Sequence, residues 1–595
     1  MKKHCRFFLV LVAFAFAKET QAQNYQWDWA NHGGGTQFFS NNSRSYIDYE
    51  RILDIAVDSN NNYYYLAAYA DGNPSYDGNS LLFNSISGVY LLSTDCDGVF
   101  RWDKEMGSSF VDYGYGLAID AADNVYISGS QQGLFQPNLP APFWDIDFNL
   151  NSSLGRNDPG PHNRTAYVAK YNDQGIFQWI KFPDNGTLTA FEVATGFFGR
   201  QIAVTPNGTI HWLVSIGLGT HVDGNVTVPT TVAREWKVIR YDTNGVYTGH
   251  TAIDYTGSFD PHNLNFAYDP LLNRYYFSSN DSGVGLVYRG TTVANNSFIV
   301  AIDATTGNDL WLKDDLNALG MVIHDIAVDD SSNVYFCGTS ATSSVNTSIF
   351  AGYTFDQRTS SGGGAQAGYV IALNAAGNLL WGNNSDTFSF TGQALAINGN
   401  EIGFATSMDD RDTWDGIAAP YGGIQADDPA VVRLNKTTGV AISIEQIEGT
   451  SGPFDELTAI ATDNFGNYVV GGYMRNSLFL NDPNVPTITR YGGASDFFIA
   501  RLAKTDCQGA PLSNDEVKVR SYKIFPNPAS DYVTITSSQA APIASYKLYS
   551  ITGQLLQEGQ PVQHRIDVST LKTGIYLIQV SDQDGGLSTL KLVKE

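Results

Sequence analysis

From Ile52 onward the chain alternates short apolar runs with turns rich in Asp, Asn and Gly. In GYGLAIDAADNVYISGS, Gly114 to Ser130, two apolar blocks flank one polar turn. That is the pattern of two half-buried or buried strands joined by a hairpin. The same pattern returns along the chain, with aligned positions at Asp58, Asp120, Thr205, Asp269, Asp329, Asn398 and Asp463, spaced 60 to 85 residues apart. Each copy is followed, after a variable gap, by a second pair, as in TAYVAKYNDQGIFQWIK from Thr165, SFIVAIDATTGNDLWLK from Ser297 and GYVIALNAAGNLLWGN from Gly368. The second turn ends in Gly, which supplies the positive φ of a tight hairpin. Four strands per unit and seven units predict an all-β chain built as a seven-bladed β-propeller, because radial repetition buries both faces of each sheet.

In four units a Trp stands four residues after the turn Gly: Gly98/Trp102, Gly175/Trp179, Gly307/Trp311 and Gly377/Trp381. This outermost strand is expected to pack its Trp between adjacent blades. The seventh unit reaches its third strand, DFFIARLAKTDCQG, and then runs into Ala510-Pro511 without a fourth. NYQWDWA, Asn24 to Ala30, supplies it, with Tyr25-Gln26-Trp27 aligned to Phe177-Gln178-Trp179. Closure by both chain ends removes an exposed sheet edge. The AVDSNNNYYYLA and AIDAADNVYISGS pattern resembles the bacterial β-propeller repeat of secreted and surface proteins, and AIDATTGNDLW (Ala301 to Trp311) resembles a quinoprotein-type repeat. No quinone-site residues accompany it, so the resemblance implies the fold and not a dehydrogenase.

From Asn514 the texture changes to seven short strand patterns between Tyr522 and Lys594, read as a small immunoglobulin-like β-sandwich. The segment carries IFPNPASDYVTI (Ile524 to Ile535), LYSITGQLL (Leu548 to Leu556), LKTGIYLIQV (Leu571 to Val580) and a terminal LKLVK. These motifs closely resemble the type A C-terminal sorting domain of the type IX secretion system of Bacteroidetes. The resemblance falls on Pro526, Asn527, Pro528, Asp531, Gly553, Gly574, Tyr576 and Lys591. It implies recognition by the type IX machinery, with the protein released or held at the outer cell surface after passing through the periplasm.

The other end fits that route. Lys2, Lys3 and Arg6 precede the apolar run Phe7 to Ala17, and Thr20-Gln21-Ala22 reads as a cleavage site, so 1–22 is expected to be a signal peptide. The predicted plan is therefore 1–22 leader, 23–508 propeller, 509–518 linker and 519–595 sorting domain. No later stretch is long and apolar enough to predict a spanning helix.

Removing the leader takes the formal net charge from −25 to −28, which disfavours nucleic acid and anionic lipid as partners. Cys5 leaves with it. The odd remainder, Cys96, Cys337 and Cys507, is expected to stay as three unpaired thiols, although export permits disulfides.

Signatures of metal, nucleophile and phosphate chemistry are missing from the sequence, so no cofactor is expected. Asp58/Asn60/Asn62, Asp120/Asp123/Asn124, Asp329/Asp330/Asn333 and Asp463/Asn464/Asn467 are read as turn formers, with Ca2+ binding as the alternative. The candidate ligand residues lie in the long loops of units two and six: Trp144, Asp145, Asp147, Asp412, Trp414 and Asp415. An aromatic platform beside carboxylates suits a glycan or a protein. The opposing reading is that each Trp anchors its own loop. Two functions follow: a non-catalytic exported binding or scaffold protein, or a secreted polysaccharide hydrolase or lyase. Carboxylates from different blades converging on the central funnel would favour the second.

Overall fold

A computed structural model describes residues 25–35, 50–70, 74–81, 87–107, 111–134, 144–145, 162–183, 198–229, 234–256, 264–280, 287–293, 297–314, 321–340, 348–355, 367–387, 392–409, 412–421, 427–450, 454–507, 522–537, 543–551, 554–561, 564–582 and 587–595. The expected leader and linker lie outside these residues. The described residues are all-β, with no helix among them. Tyr25–Ala510 forms one compact unit, and Pro511–Glu595 belongs to another.

The larger unit is propeller-like. Its recurring element is a four-stranded antiparallel sheet, such as Phe198–Val204, Ile210–Gly217, Arg234–Tyr241 and Tyr247–Ile253. The same order recurs in Leu264–Asp269, Arg274–Asn280, Ser297–Asp303 and Asp309–Lys313, and in each of the other repeats. Second and third strands such as Val334–Ser340 and Ala367–Leu373 are buried along their whole length. They have a sheet neighbour on either side and packed apolar clusters on both faces, which is why they read as continuous apolar runs.

In the repeats that carry an Asp at the aligned position, the first turn explains it. Asp58 Oδ1 accepts the backbone N–H groups of Asn60 and Asn62 at 2.9 and 2.8 Å, and its Oδ2 accepts the Asn62 amide and the Tyr64 hydroxyl. Asp120 holds Ala122, Asn124 and Tyr126 in the same way, and Asp329 holds Ser331, Asn333 and Tyr335. These carboxylates are taken up by their own turns.

The second turn explains the Gly and the Trp together. Trp102, Trp179, Trp311 and Trp381 each donate their indole N–H to a carbonyl of the next repeat: Asp173, Thr243, Ala375 and Lys436, at 2.8–3.1 Å. The ring lies on that repeat's turn glycine. A Cβ on Gly175 would stand 2.8 Å from Trp102, and one on Gly439 2.4 Å from Trp381, while both residues also need a positive φ. The expected interblade Trp is realised.

The strand Gln26–Gly34 pairs with Asp496–Ala503, so the start of the described chain completes the last sheet. The register expected from the sequence is corrected by two residues. Trp27 pairs with Leu502, a bulge follows, and Trp29 pairs with Arg501. In the second repeat Phe177 pairs with Tyr171 and Trp179 follows the bulge. Trp29 is therefore the counterpart of Trp179, and its indole N–H donates to the Cys96 carbonyl at 3.0 Å. Residues two apart share a face of a strand, so apolar alternation alone cannot separate the two registers.

The expected three free thiols are also corrected. Cys96 and Cys507 form a disulfide across 411 residues, and among the described residues only Cys337, which is buried, stays free. Cys96 lies in a turn of the first repeat, and Cys507 lies just past the last strand of the final one. Closing so long a loop restricts the unfolded chain, so Cys96→Ser is expected to cost about 2–5 kcal/mol. Urea denaturation with and without reductant tests this, and reduced wild type should match the variant.

In the second unit, Tyr522–Phe525, Tyr532–Ser537 and Arg565–Asp567 form one sheet. Leu555–Gly559, Ile543–Ser550, Gly574–Asp582 and Leu587–Lys594 form another, in that spatial order. Val533, Ile535, Tyr546, Leu548, Ile566, Ile578, Val580 and Leu592 share one core between them.

Candidate functional site

The second unit holds its own chain terminus. Phe525-Pro526 and Asn527-Pro528 are cis, and residues 525–528 are exposed. The Asn527 side chain donates to the Lys591 carbonyl and accepts the Val593 N–H, both at 2.8 Å. Ala529 N–H donates to the Val593 carbonyl at 2.9 Å, and Glu595 N–H donates to the Ala529 carbonyl at 3.0 Å. Gly574 pairs with Lys594, and Tyr576, whose hydroxyl donates to the Lys572 carbonyl, pairs with Leu592. Five residues expected from the family motifs, Asn527, Pro528, Gly574, Tyr576 and Lys591, thus gather around the last strand. Pro526 begins the same loop. Asp531 contributes through its backbone carbonyl, which accepts Val568 N–H at 2.8 Å. Gly553 lies outside the described residues.

The candidate ligand residues are placed differently. Trp414 is fully buried, edge-on to Phe404 at 5.4 Å, and so anchors its loop instead of offering a ring face. Asp412 is buried, and its carboxylate accepts Asp409 N–H at 2.8 Å. Asp415, at φ 51°, accepts from the Asn383 amide at 2.8 Å and from Ala441 N–H at 2.7 Å. Trp144 and Asp145 form a two-residue strand paired with Gly107 and Met106 of the preceding repeat. Asp147 lies outside the described residues.

Sequence reasoning missed a carboxyl group cluster in units six and seven. Asp409 and Asp427 are cross-strand partners, Asp428 follows, and Asp455 N–H bonds the Asp427 carbonyl at 3.0 Å. Like charges directly opposed destabilise a sheet unless one is protonated. Burial, then repulsion from Asp409, Asp412, Asp428 and Glu456, pushes Asp427 up to about 7. The signal was visible as paired acidic residues at Asp427-Asp428 and Asp455-Glu456. Their adjacency depends on the strand register.

Burial likewise raises Asp455 and Asp496 to about 7, against the opposing effect of Arg475 N–H on the first and Tyr491 N–H on the second. A carboxyl group raised in the folded state binds more protons there than when unfolded. Its contribution therefore grows as pH falls from about 7 toward 4 and is lost as pH rises. Asp120 and Asp329 behave oppositely. Burial would raise them, but N–H donors led by Asn124 and Asn333 hold them below the ordinary range, and that stabilisation is lost in acid. Calorimetry should show the melting temperature rising from pH 8 to about 5 and falling below about 4. Asp455→Asn should flatten the neutral limb.

Carboxyl groups also stand on the inner strands. Asp54 Oδ2 accepts Leu117 N–H at 2.8 Å and Oδ1 accepts Ile55 N–H, while Asp325 treats Leu395 and Ile326 in the same way. Gln201 does the same for Phe266 N–H at 2.6 Å. Each side chain ties one inner strand to the next. Burial raises Asp54 to about 7 and Asp325 to about 6, the first also feeling the second, with Arg200 opposing. The Arg200 guanidinium stands 5.4 Å from the Tyr115 ring centroid.

Residues 523–595 match the family model described as a secretion system C-terminal sorting domain. The protein is cargo of the type IX secretion system. Its destination is accordingly the cell surface or the medium, and no described helix is long and apolar enough to cross a membrane. The cargo is 24% identical over 153 residues to an uncharacterized WD repeat-containing protein of Acanthamoeba polyphaga mimivirus, spanning 21% of this chain and 10% of that one. It resembles the quinohemoprotein alcohol dehydrogenase of Comamonas testosteroni at 10% identity, covering 86% of this chain and 79% of that one, with a TM-score of 0.35. It also resembles the β-propeller domain of the trilobed protease of Pyrococcus furiosus at 6% identity, over 71% and 91%, with a TM-score of 0.34. At this level of similarity the strand pairing above, not these neighbours, defines the fold of the cargo.

Proposed function

We propose that this cargo is a seven-bladed β-propeller, exported behind a signal peptide over 1–22, that binds or scaffolds at the cell surface without catalysis, with a small immunoglobulin-like sandwich as its address. Seven blades are supported by the inner strands, each of which packs against the next, with Glu456–Thr462 returning to Arg51–Val57. The non-catalytic role is carried by one observation: the inner-strand carboxyl groups of Asp54 and Asp325 are each engaged by two backbone N–H groups. The ligand remains a glycan or a protein of the cell surface. Purified cargo should capture one member of a glycan and surface-protein panel without releasing reducing ends. Turnover of any polymer overturns the reading.

The second reading, a polysaccharide hydrolase or lyase, is favoured by Asp427. It is partly exposed, and its raised carboxyl group could donate a proton near neutral pH. Under that reading Asp427→Asn abolishes turnover. Ca2+ is not needed to hold the Asp turns, because their own N–H groups fill that role. Chelation by EDTA is therefore expected to leave the melting temperature unchanged, and a fall would reinstate the ion.

A further inference from the structure

In the sorting domain the final strand is the outermost of its sheet, with Gly574–Asp582 on one side only. The groups along its free edge would ordinarily face water or a pairing partner. Here the Asn527 amide takes two of them, the Lys591 carbonyl and the Val593 N–H, and Ala529 takes the next two. A side chain thus stands in for a neighbouring strand. Asn527 itself is exposed, as are Phe525, Pro526, Pro528, Lys591 and Glu595. Hydrogen bonds at such an exposed site add little to stability, because water competes for both partners. Their effect is conformational: the exposed Lys591 and Glu595 are held in one fixed geometry on a strand whose Leu592 and Lys594 are buried. A partner that engages a pre-ordered segment does not bear the entropy of ordering it.

We propose that Asn527 is a positioning residue for export, holding the edge-strand segment Lys591–Glu595 in the extended form in which the secretion machinery engages it. This rests on the sorting role of residues 523–595. The role differs from simple stabilisation, because the two bonds lie on the free edge of the strand, between the exposed Asn527 and the backbone of Lys591 and Val593.

The test uses the full chain in its own secreting cells, with periplasmic, surface and medium fractions measured by immunoblot. Asn527→Ala removes both bonds. Asn527→Asp keeps an acceptor for Val593 N–H but sets a carboxylate against the Lys591 carbonyl. Ile578→Val, wholly buried in the same core, serves as the stability control. Both Asn527 variants should be exported at about a tenth of the wild-type level or less, a loss of the order of one good contact. Amide exchange should rise in the C-terminal peptide. Ile578→Val, compared at a temperature where all variants are folded, should be exported like wild type. The proposal is overturned if Asn527→Ala is exported normally despite faster C-terminal exchange. It is equally overturned if Ile578→Val falls with the Asn527 variants, since stability alone then explains the loss. If deleting residues 523–595 leaves export intact, the sorting role itself fails, which is a separate result.

Discussion

Cells producing the chain without residues 519–595 are expected to accumulate it in the periplasm as a folded propeller-like unit, with none at the surface or in the medium. Folding should survive because each apolar cluster draws on one unit alone. The sorting core runs from Tyr522 to Leu592, whereas the cluster around Trp27, Val470 and Phe498 and that around Tyr63, Tyr90 and Phe497 lie wholly within Tyr25–Ala510. The Cys96–Cys507 disulfide also lies upstream of the cut, so the covalent tie between first and last repeats is kept. Export should fail because the deleted residues contain the matched sorting domain. Cell fractionation checks the location, and thermal melting of the periplasmic material checks the fold. A truncated chain that still reaches the medium in folded form would remove the basis for assigning this cargo its route.

What the sequence made legible were features enforced locally. The Asp, Asn and Tyr of the first turn bond one another within six residues, and the Gly and Trp of the second face each other across one repeat. Both leave a repeated trace in the chain. The missed features depend on the assembled sheets. Cys96 and Cys507 meet only when the first and last repeats do, and the odd count misled because Cys337 is an apolar core residue. Trp414 sits among carboxylates in sequence, but the turn at Asp415-Gly416 folds its ring inward against Phe404. Asp427 gains its like-charged neighbour Asp409 only through strand pairing.

Deleting Asn24 to Ala30 is expected to cost the larger unit most or all of its stability. Trp27 is buried edge-on to Phe479 at 5.7 Å, and the Arg433 guanidinium covers the Tyr25 ring at 4.0 Å. Arg501, wholly buried, holds Asp28 at 2.6 Å and Asp463 at 3.2 Å. Losing a buried aromatic costs about 3–5 kcal/mol, and breaking a buried ion pair adds a similar amount. Together these match the roughly 5–15 kcal/mol by which a domain is stable at all. Single changes then test the register. Trp27→Ala and Trp29→Ala should both destabilise in urea, but only Trp29 touches the Gly98 turn of the first repeat, where an added Cβ would stand 2.8 Å from its ring. Gly98→Ala carries a cost from its φ of 77° and a second from that contact. Removing the Trp29 ring relieves the second cost and not the first. A double-mutant cycle should therefore show coupling of about 0.5–3 kcal/mol between positions 29 and 98, and none between 27 and 98. Coupling at Trp27 instead would restore the register in which Trp27 is the counterpart of Trp179.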